Sequence, residues 1–269
     1  MASTDIIPTP LSKTVIIEGC AEACPELEVH VLDSVDSTNT WLLDGDFSSP
    51  VSLCAAEHQT VGRGRRGKTW YSPNSGVTFS LRFNRTEPVA WFNGLSLIVG
   101  SVLCDTLRDT GVVDSMVKWP NDVLVRGSKL AGILVESRTA HSTEGTVLVV
   151  GMGVNYILGG ETRLIDQPST GLSTLCGAGG PPDRSELIAD IAKRLITAVS
   201  ADIPQSVSQL ADRWTDYDAL AGTTVVATVA GDIIEGLAAG IDEKGNLQID
   251  TKDGLQSFNS ADVSVRKNL

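Results

Sequence analysis

A glycine- and arginine-rich stretch from Glu57 to Trp70 constrains the fold more than any other part of the chain. Three glycines and four cations fall within residues 62–69. Glycine loses more conformational entropy than any other residue when it becomes ordered, and neighbouring cations repel one another. A bound anion would offset both costs, because backbone N–H groups and guanidinium forks match phosphate or carboxylate oxygens. The stretch therefore predicts a loop that binds a small anionic ligand.

The residues around this loop argue against a dinucleotide-binding fold. Residues 62–67 fit the spacing G-x-G-x-x-G, which in such folds follows a strand and opens an apolar helix. Residues 52–57 are a predicted strand, but residues 68–74, Lys-Thr-Trp-Tyr-Ser-Pro-Asn, cannot open an amphipathic helix. A solvated basic loop without a ligand is the second alternative, and the rest of the chain weakens it.

The charge and composition narrow the classes of partner. The chain has 269 residues and a formal net charge of −12, and four of its cations stand together in the loop. Nucleic-acid binding depends on a basic surface, and we therefore expect no DNA binding. The sequence has no apolar run of about 18 residues and no signal-like start, which predicts no membrane partner and no export. Five cysteines, an odd number, favour reduced thiols in the cytoplasm.

The first 218 residues show patterns typical of an α+β fold. Short apolar or alternating runs predict strands at 29–32, 51–57, 77–83, 123–125, 130–136 and 146–154. Helical spacing and capping residues predict helices at 16–24, after 36–39, and at 88–110, 183–200 and 205–217. Lys129 is expected at the bend of a hairpin, where no packing role for it is apparent.

From residue 219 the pattern changes. Short alternating runs are separated by turns such as Lys244-Gly245-Asn246 and Asp253-Gly254. This texture predicts a small all-β barrel joined directly to the larger domain. The expected domains are therefore residues 1–218 and 219–269.

Four ordered blocks resemble one family. They are Asp-Ser-Thr-Asn at 36–39, Gln59 with the loop and Trp70, Lys-Trp-Pro-Asn-Asp at 118–122 with Lys-Leu-Ala-Gly-Ile at 129–133, and Gly-Met-Gly-Val-Asn at 151–155. In this order they resemble the biotin protein ligases, also called biotin–(acetyl-CoA-carboxylase) ligases. The resemblance implies a class II synthetase-like mixed β-sheet with flanking helices and a C-terminal SH3-like β-barrel. Residues 1–26 leave no room for a DNA-binding module, so a ligase without operon repression is expected.

The resemblance also implies ligands and site residues. It implies ATP, Mg2+ and biotin, with a lysine of a biotin carboxyl carrier protein as acceptor. The residues implied for biotin are Ser37, Thr38, Asn39, Gln59, Arg63, Gly64, Arg65, Lys129, Gly132, Gly151 and Gly153. Those implied for the nucleotide are Arg65, Arg66, Trp70, Lys118, Asn121, Asn155 and Arg266. The implied catalytic residues are Arg63, Lys118 and Lys129, and Asp122 is implied either as a metal ligand or as an orienting carboxylate.

These residue types suit the implied chemistry. When biotin's carboxylate attacks the α-phosphorus of ATP, two anions approach, and at about 4 Å and an effective dielectric near 20 they repel by roughly 4 kcal/mol. Arg63, Lys118 and Lys129 would offset this repulsion. No serine or cysteine nucleophile is required, because the carboxylate is the nucleophile.

Three other functions compete with this one. A lipoate–protein ligase shares the implied fold, but its dithiolane ring offers no hydrogen bonds to the polar residues 37–39. An adenylate-sensing regulator of DNA is disfavoured by the acidic composition, and a purely structural protein would gain nothing from the cationic loop. The sequence leaves open whether the protein is a monomer or a weak homodimer. It also leaves open how residues 167–175 cover an adenine.

Overall fold

Seven strands form the mixed β-sheet of the larger part of the protein in this computed structural model. The structure describes residues 8–71, 76–139, 145–158, 167–229, 232–260 and 263–267. The strands are β1 (Glu28–Val35), β2 (Val51–Gln59), β3 (Val77–Arg85), β4 (Ser115–Lys118), β5 (Asp122–Val125), β6 (Ser128–Thr139) and β7 (Thr146–Val154). They are ordered β1-β2-β3-β7-β6-β5-β4. Only β1 and β2 are parallel among these neighbours.

Helices flank this sheet, as the sequence predicted. They are α1 (Lys13–Cys20), α2 (Thr38–Asp44), α3 (Leu95–Asp109), α4 (Leu172–Leu175), α5 (Arg184–Ser200) and α6 (Ile203–Asp212). The helices α1, α3 and α5 pack together, and α2 packs on β2, β3 and β7. Every residue of β7 is buried. The centre of the sheet is therefore covered on both faces.

Side chains alternate between the two faces of the central strands, and the two faces differ in composition. Phe79 pairs with Met152 and Met152 with Ile133, and all three are buried apolar residues of the main core. The intervening pair, Ser80 with Gly151, belongs to the opposite face, since side chains alternate along a strand. That face carries α2 and the candidate site.

The helix predicted at 88–110 is shorter than expected. Residues Val89–Phe92 form a single 3-10 turn, and α3 begins only at Leu95. Gly94, between them, has a φ of +79°, which ends regular helix at that point. The predicted stop at Gly111 is confirmed by a φ of +91°. The stretch Val89–Asp109 is long and apolar enough to cross a membrane, but more than half of its apolar part is buried, as in a core helix.

The hairpin of β5 and β6 corrects the expected position of Lys129. The tight turn is made by Arg126 and Gly127, whose φ values are +50° and +80°. Lys129 is instead the second residue of β6 and is paired with Leu124. Its side chain is only 15% exposed, so the expectation of a bend residue without contacts is wrong.

The C-terminal part is a five-stranded antiparallel sheet. Its strands are β8 (Thr224–Val229), β9 (Asp232–Ile241), β10 (Leu247–Thr251), β11 (Gly254–Phe258) and β12 (Val263–Lys267). The short alternating runs predicted after residue 219 are therefore strands. The order is β11-β10-β9-β8-β12, and within the described residues the two end strands are not paired, so the sheet is not closed into the predicted barrel. The domain boundary at residue 219 stays a prediction.

Side chains of the larger part reach this C-terminal sheet directly. The indole Nε1 of the fully buried Trp119 donates to the carbonyl of Gly245 at 3.1 Å. The guanidinium of Arg65 donates to the carbonyl of Ser260. The glycine loop and the turn after β4 therefore both contact the C-terminal part.

Candidate functional site

Three glycines make a floor on one face of β6 and β7. Gly132 and Gly153 are paired across the two strands, and Gly151 lies two residues before Gly153. A Cβ atom at Gly151 would overlap the side-chain amide of Asn39, and one at Gly153 would overlap the indole of Trp70. At Gly132 it would lie 2.9 Å from the same indole. The glycines are therefore required by close approach, and Asn39 and Trp70 cover different parts of the floor.

A chain of buried polar groups borders the Asn39 end of the floor. The backbone N–H and the Oγ1 of Thr38 lie 2.8 and 3.1 Å from Oε1 of Gln59. Thr38 Oγ1 is 2.7 Å from Ser80 Oγ, which donates to Asn39 Oδ1 at 2.6 Å. All four residues are at most 9% exposed. We call these four residues the amide end of the site.

Ser37 lies beside this group and is 3% exposed. It occupies the N-cap position of α2, but its side chain caps none of the described backbone N–H groups. Capping therefore does not account for the run Ser37, Thr38 and Asn39.

The structure brings together the predicted polar residues and adds Ser80. In β3, Thr78, Ser80 and Arg82 alternate with apolar residues, a pattern that could have indicated Ser80 in advance.

Glu136, near the end of β6, is a second residue that the sequence did not indicate. Its Oε2 accepts from Asn39 Nδ2 at 2.9 Å, and its Oε1 accepts from Arg63 Nη2 at 2.8 Å. Arg63 also donates from Nη1 to Thr40 Oγ1 at 3.2 Å. The guanidinium of Arg63 therefore lies at the amide end of the site.

Lys129 belongs to a separate, charged group. Its Nζ lies 2.7 Å from Asp122 Oδ1 and 5.4 Å from the centroid of the Trp70 ring. The carbonyl of Lys129 accepts from Asn155 Nδ2 at 3.1 Å. We call Lys129, Asp122, Trp70, Asn155 and Arg65 the cation end of the site.

The structure does not bring Arg63 and Lys129 together. They contact Glu136 and Asp122, respectively. Lys129 and Glu136 are separated by roughly 23 Å along β6, at about 3.3 Å per residue. Arg63 and Lys129, two of the cations implied as catalytic, are therefore held by different carboxylates.

The glycine loop is a compact turn. Gly64 N donates to Lys68 O at 2.7 Å, and Trp70 N donates to Gly62 O at 2.8 Å. Arg66 has a φ of +57°, in the left-handed region that non-glycine residues rarely adopt. The loop contains one 3-10 turn, Arg65–Gly67, and within the described residues no α-helix lies between it and β3, which confirms that its G-x-G-x-x-G spacing is not a dinucleotide-binding fingerprint.

Arg65 joins this loop to the cation end. Its Nη1 donates to Asn121 Oδ1 at 3.4 Å, and Asn121 Nδ2 donates to the carbonyl of Ile133 at 2.9 Å. Burial lowers the pKa of Arg65, the charge of Arg66 lowers it further, and Asp122 opposes both effects. Arg65 is thus partly desolvated, whereas Arg66 is exposed.

The remaining predicted nucleotide residues lie close to this end or outside the described side chains. Lys118 ends β4, is half-buried and is paired directly with Asp122. Arg266 belongs to β12, but its side chain is not among those described. The segment at 167–175 runs beside the cation end, since Lys129 N donates to Pro168 O at 2.8 Å and Thr170 N to Lys129 O at 2.9 Å.

The donor set offers no resident metal cage. Asp122 already binds an ammonium group, and no three histidine, cysteine or acidic side chains converge among the described residues. Mg2+ favours oxygen ligands and is often bound by one or two carboxylates together with substrate phosphates. The described residues therefore do not fit a metal ion held by protein ligands alone.

Known proteins resemble both parts of the chain. The model of the biotin/lipoate A/B protein ligase family matches residues 31–155, and that of the biotin protein ligase C-terminal domain matches residues 222–266. The bifunctional ligase/repressor BirA of Escherichia coli (strain K12) is 35% identical over 243 residues, which are 88% of this chain and 74% of that protein. The biotin–(acetyl-CoA-carboxylase) ligase of Mycobacterium tuberculosis is 32% identical over 250 residues, 88% of each chain.

Solved structures give the same result. A mutant biotin protein ligase from Aquifex aeolicus in complex with biotin has a TM-score of 0.75 and 27% identity, and covers 90% of this chain and 99% of its own. The Aquifex aeolicus ligase with biotin and ATP has a TM-score of 0.72 and 25% identity over the same shares.

Proposed function

Since this chain belongs to the biotin protein ligases, we propose that it makes biotinyl-5′-AMP from biotin and ATP and passes biotin to a lysine of a carrier protein. The protein is an AMP-forming biotin–protein ligase, and biotin and ATP are its substrates. The acceptor, we propose, is a biotin carboxyl carrier protein. The names of the relatives that act on acetyl-CoA carboxylase support this choice.

The single observation that carries the assignment of the site is the glycine floor with two unlike ends. The amide end offers neutral hydrogen-bonding groups, which suit the neutral, polar ureido ring of biotin. The cation end offers Lys129, Arg65 and the loop, which suit the carboxylate and the phosphates. A ligand that lies along Asn39 and Trp70, which cover the floor, would reach from one end to the other.

The proposed roles follow this division. Ser37, Thr38, Asn39 and Gln59 contact the ureido ring, and Lys129 contacts the reacting carboxylate and the α-phosphate. Asp122 orients Lys129, which favours the orienting role over the metal role for this carboxylate. Arg65, Lys118, Asn121 and Asn155 contact the nucleotide.

In the first step, an oxygen of biotin's carboxylate attacks the α-phosphorus and pyrophosphate leaves. Lys129 and Arg65 stabilise the charge that builds on the phosphoryl oxygens. In the second step, the neutral amine of the acceptor lysine attacks the acyl carbon, AMP leaves with the shared oxygen, and the amine loses a proton. Positioning on the floor supplies much of the rate of both steps. Mg2+, we propose, accompanies the ATP phosphates.

The proposal extends to the cellular setting. Cys20, Cys24, Cys54, Cys104 and Cys176 are free thiols. Burial raises the pKa of Cys54 and of Cys104 to about 12, which keeps both thiols protonated and unreactive. These thiols support a cytoplasmic location. The acidic chain supports a function without DNA, and a monomer or weak homodimer remains the proposed state.

The test is ATP–pyrophosphate exchange with the purified protein. Exchange should require biotin, biotinyl-AMP should be detected by mass spectrometry, and lipoate should neither replace biotin nor compete with it. A carrier domain added afterwards should gain one biotin. Exchange at the same rate without biotin would contradict the proposal.

A further inference from the structure

One carboxylate, that of Glu136, connects the amide end of the site to the glycine loop. Its side chain is 21% exposed and uses both oxygens, one for Asn39 and one for Arg63. None of the four sequence blocks includes it. It contacts Asn39 on α2 and Arg63 on the loop, so any effect of Glu136 on a ligand passes through these two residues.

The first consequence concerns the amide of Asn39. An ionised carboxylate only accepts hydrogen bonds, so the Asn39 group that faces Glu136 must be the NH2. The NH2 also donates to the carbonyl of Leu134 at 3.1 Å. Asn39 Oδ1 must then face Ser80, and the orientation of the amide is fixed by Glu136 together with the carbonyl of Leu134, since both only accept.

The second consequence passes along the hydrogen-bond chain. The hydroxyl proton of Ser80 is directed to Asn39 Oδ1. The one proton of Thr38 Oγ1 is then directed either to Ser80 Oγ, at 2.7 Å, or to Gln59 Oε1, at 3.1 Å. Since each hydroxyl has one proton and both protons are used inside this group, Thr38 Oγ1 has only lone pairs left for a ligand. The amide end is thus set to accept hydrogen bonds, which matches the two N–H groups of a ureido ring.

We propose that Glu136 is a positioning residue that sets the donor and acceptor directions of the amide end and so determines how tightly the ureido ring binds. The inference rests on the proposed assignment of this end to biotin. Its ion pair with Arg63 adds a link to the loop, because Arg63 also contacts Thr40 on α2.

The decisive variant is Glu136→Gln. It keeps the size and shape of the side chain but replaces one acceptor oxygen with an NH2 donor. A glutamine must turn its NH2 towards either Asn39 or Arg63, both of which are donors, so one contact is lost or Asn39 flips. Titration calorimetry with biotin alone should show a Kd raised about 10- to 100-fold, the range expected for losing one charge-assisted hydrogen bond. The KM for ATP at saturating biotin should stay within 3-fold of the parent value.

Two further variants make the test specific. Asn39→Ala should also weaken biotin binding, and adding Glu136→Gln to it should change the Kd by less than about 2-fold, since contacting residues are not additive. Glu57→Gln is the matched control. It breaks another carboxylate–arginine pair, with the buried Arg184 at 2.8 Å, and should lower Tm without moving the Kd for biotin.

Each alternative result has a defined meaning. A Kd within 2-fold of the parent in Glu136→Gln, or full additivity with Asn39→Ala, would overturn the inference. An equal loss in Glu57→Gln would do the same, because the effect would then be general destabilisation. If Asn39→Ala itself leaves the Kd unchanged, the assignment of the amide end to biotin is wrong, which is a different failure.

Discussion

The two ends of the glycine floor are built on different physical principles. At the amide end, Thr38, Ser80 and Asn39 are buried and satisfy one another by short hydrogen bonds. At the cation end, Lys129 and Asp122 are 15% and 18% exposed and satisfy one another by charge. The hydrogen bonds of the amide end fix which groups donate and which accept. The ion pair of the cation end holds a positive charge close to the reacting groups.

This difference matches what each end must do. A neutral ring is recognised only if donors and acceptors point correctly, and a buried network with one member unsatisfied is worse than none. At the cation end, a reacting phosphate instead takes the place of the Asp122 carboxylate as the anionic partner of Lys129. Lys129 can make that exchange at little cost, because its new partner carries the same sign of charge as Asp122.

The largest expected effect is at the cation end. Lys129→Ala should lower biotin-dependent pyrophosphate exchange by about 100- to 1,000-fold, the usual loss when one group that stabilises transition-state charge is removed. Its Tm should fall by a few degrees, since Asp122 loses a half-buried partner. Lys193→Ala, which breaks an exposed ion pair on α5, should change neither quantity. Exchange within 10-fold of the parent would remove Lys129 from the reaction.

A smaller effect is expected for Arg65→Gly, which loosens the cation end without removing Lys129. Losing one charge-assisted hydrogen bond of about 1.5–3 kcal/mol should speed the escape of biotinyl-AMP by roughly 10- to 150-fold. Free adenylate would then acylate serum albumin, as detected by an avidin blot. Unlabelled albumin, together with normal adenylate synthesis, would show that Arg65 does not retain the product.

Gly151→Ala should disturb the amide end alone. The added methyl group overlaps the amide of Asn39, and overpacking of about 1–2 kcal/mol should raise the Kd for biotin about 5- to 30-fold. The Kd for ATP alone should not change. Gly179→Ala is the control, because a Cβ there meets none of the described atoms within 4 Å. Equal losses for biotin and ATP would contradict the separation of the two ends.

The smallest effect is expected for Ser80→Ala. It removes the contacts with Thr38 and Asn39, and a net loss of about 1 kcal/mol should raise the Kd for biotin about 5-fold. Ser52→Ala on β2 removes a buried hydroxyl that has no partner among the described residues, and biotin binding should be unchanged. A loss as large as that of Gly151→Ala would mean that Ser80 contacts the ligand directly.

Much of the fold could be read from the sequence because it depends on local pattern. The strands that lead into the loop and into the glycine floor alternate or are wholly apolar, and their positions were predicted within a few residues. Two of the errors fall where one residue adopts an unusual backbone angle. The left-handed Gly94 shortens α3, and the left-handed Arg126 moves the hairpin turn away from Lys129.

The site could be predicted less well where it depends on contacts between residues that are far apart in the sequence. Glu136 and Asn39 are 97 residues apart, and Asn39 and Ser80 are 41 apart. Neither Glu136 nor Ser80 belongs to a motif, so only the folded chain shows their contacts. The separation of Arg63 from Lys129 has the same cause, since charge alone does not say which carboxylate each cation will meet.

The contacts of Trp119 and Arg65 with the C-terminal part determine whether that part can be exchanged between related enzymes. The indole and the guanidinium both find acceptors on backbone carbonyls of the other part, at Gly245 and Ser260. Carbonyls are present in any sequence, but their positions depend on the exact course of the foreign chain. A chimaera that exchanges the C-terminal sheet should therefore fold and yet misplace its loop, unless residues 62–70 and 118–122 are inherited with it.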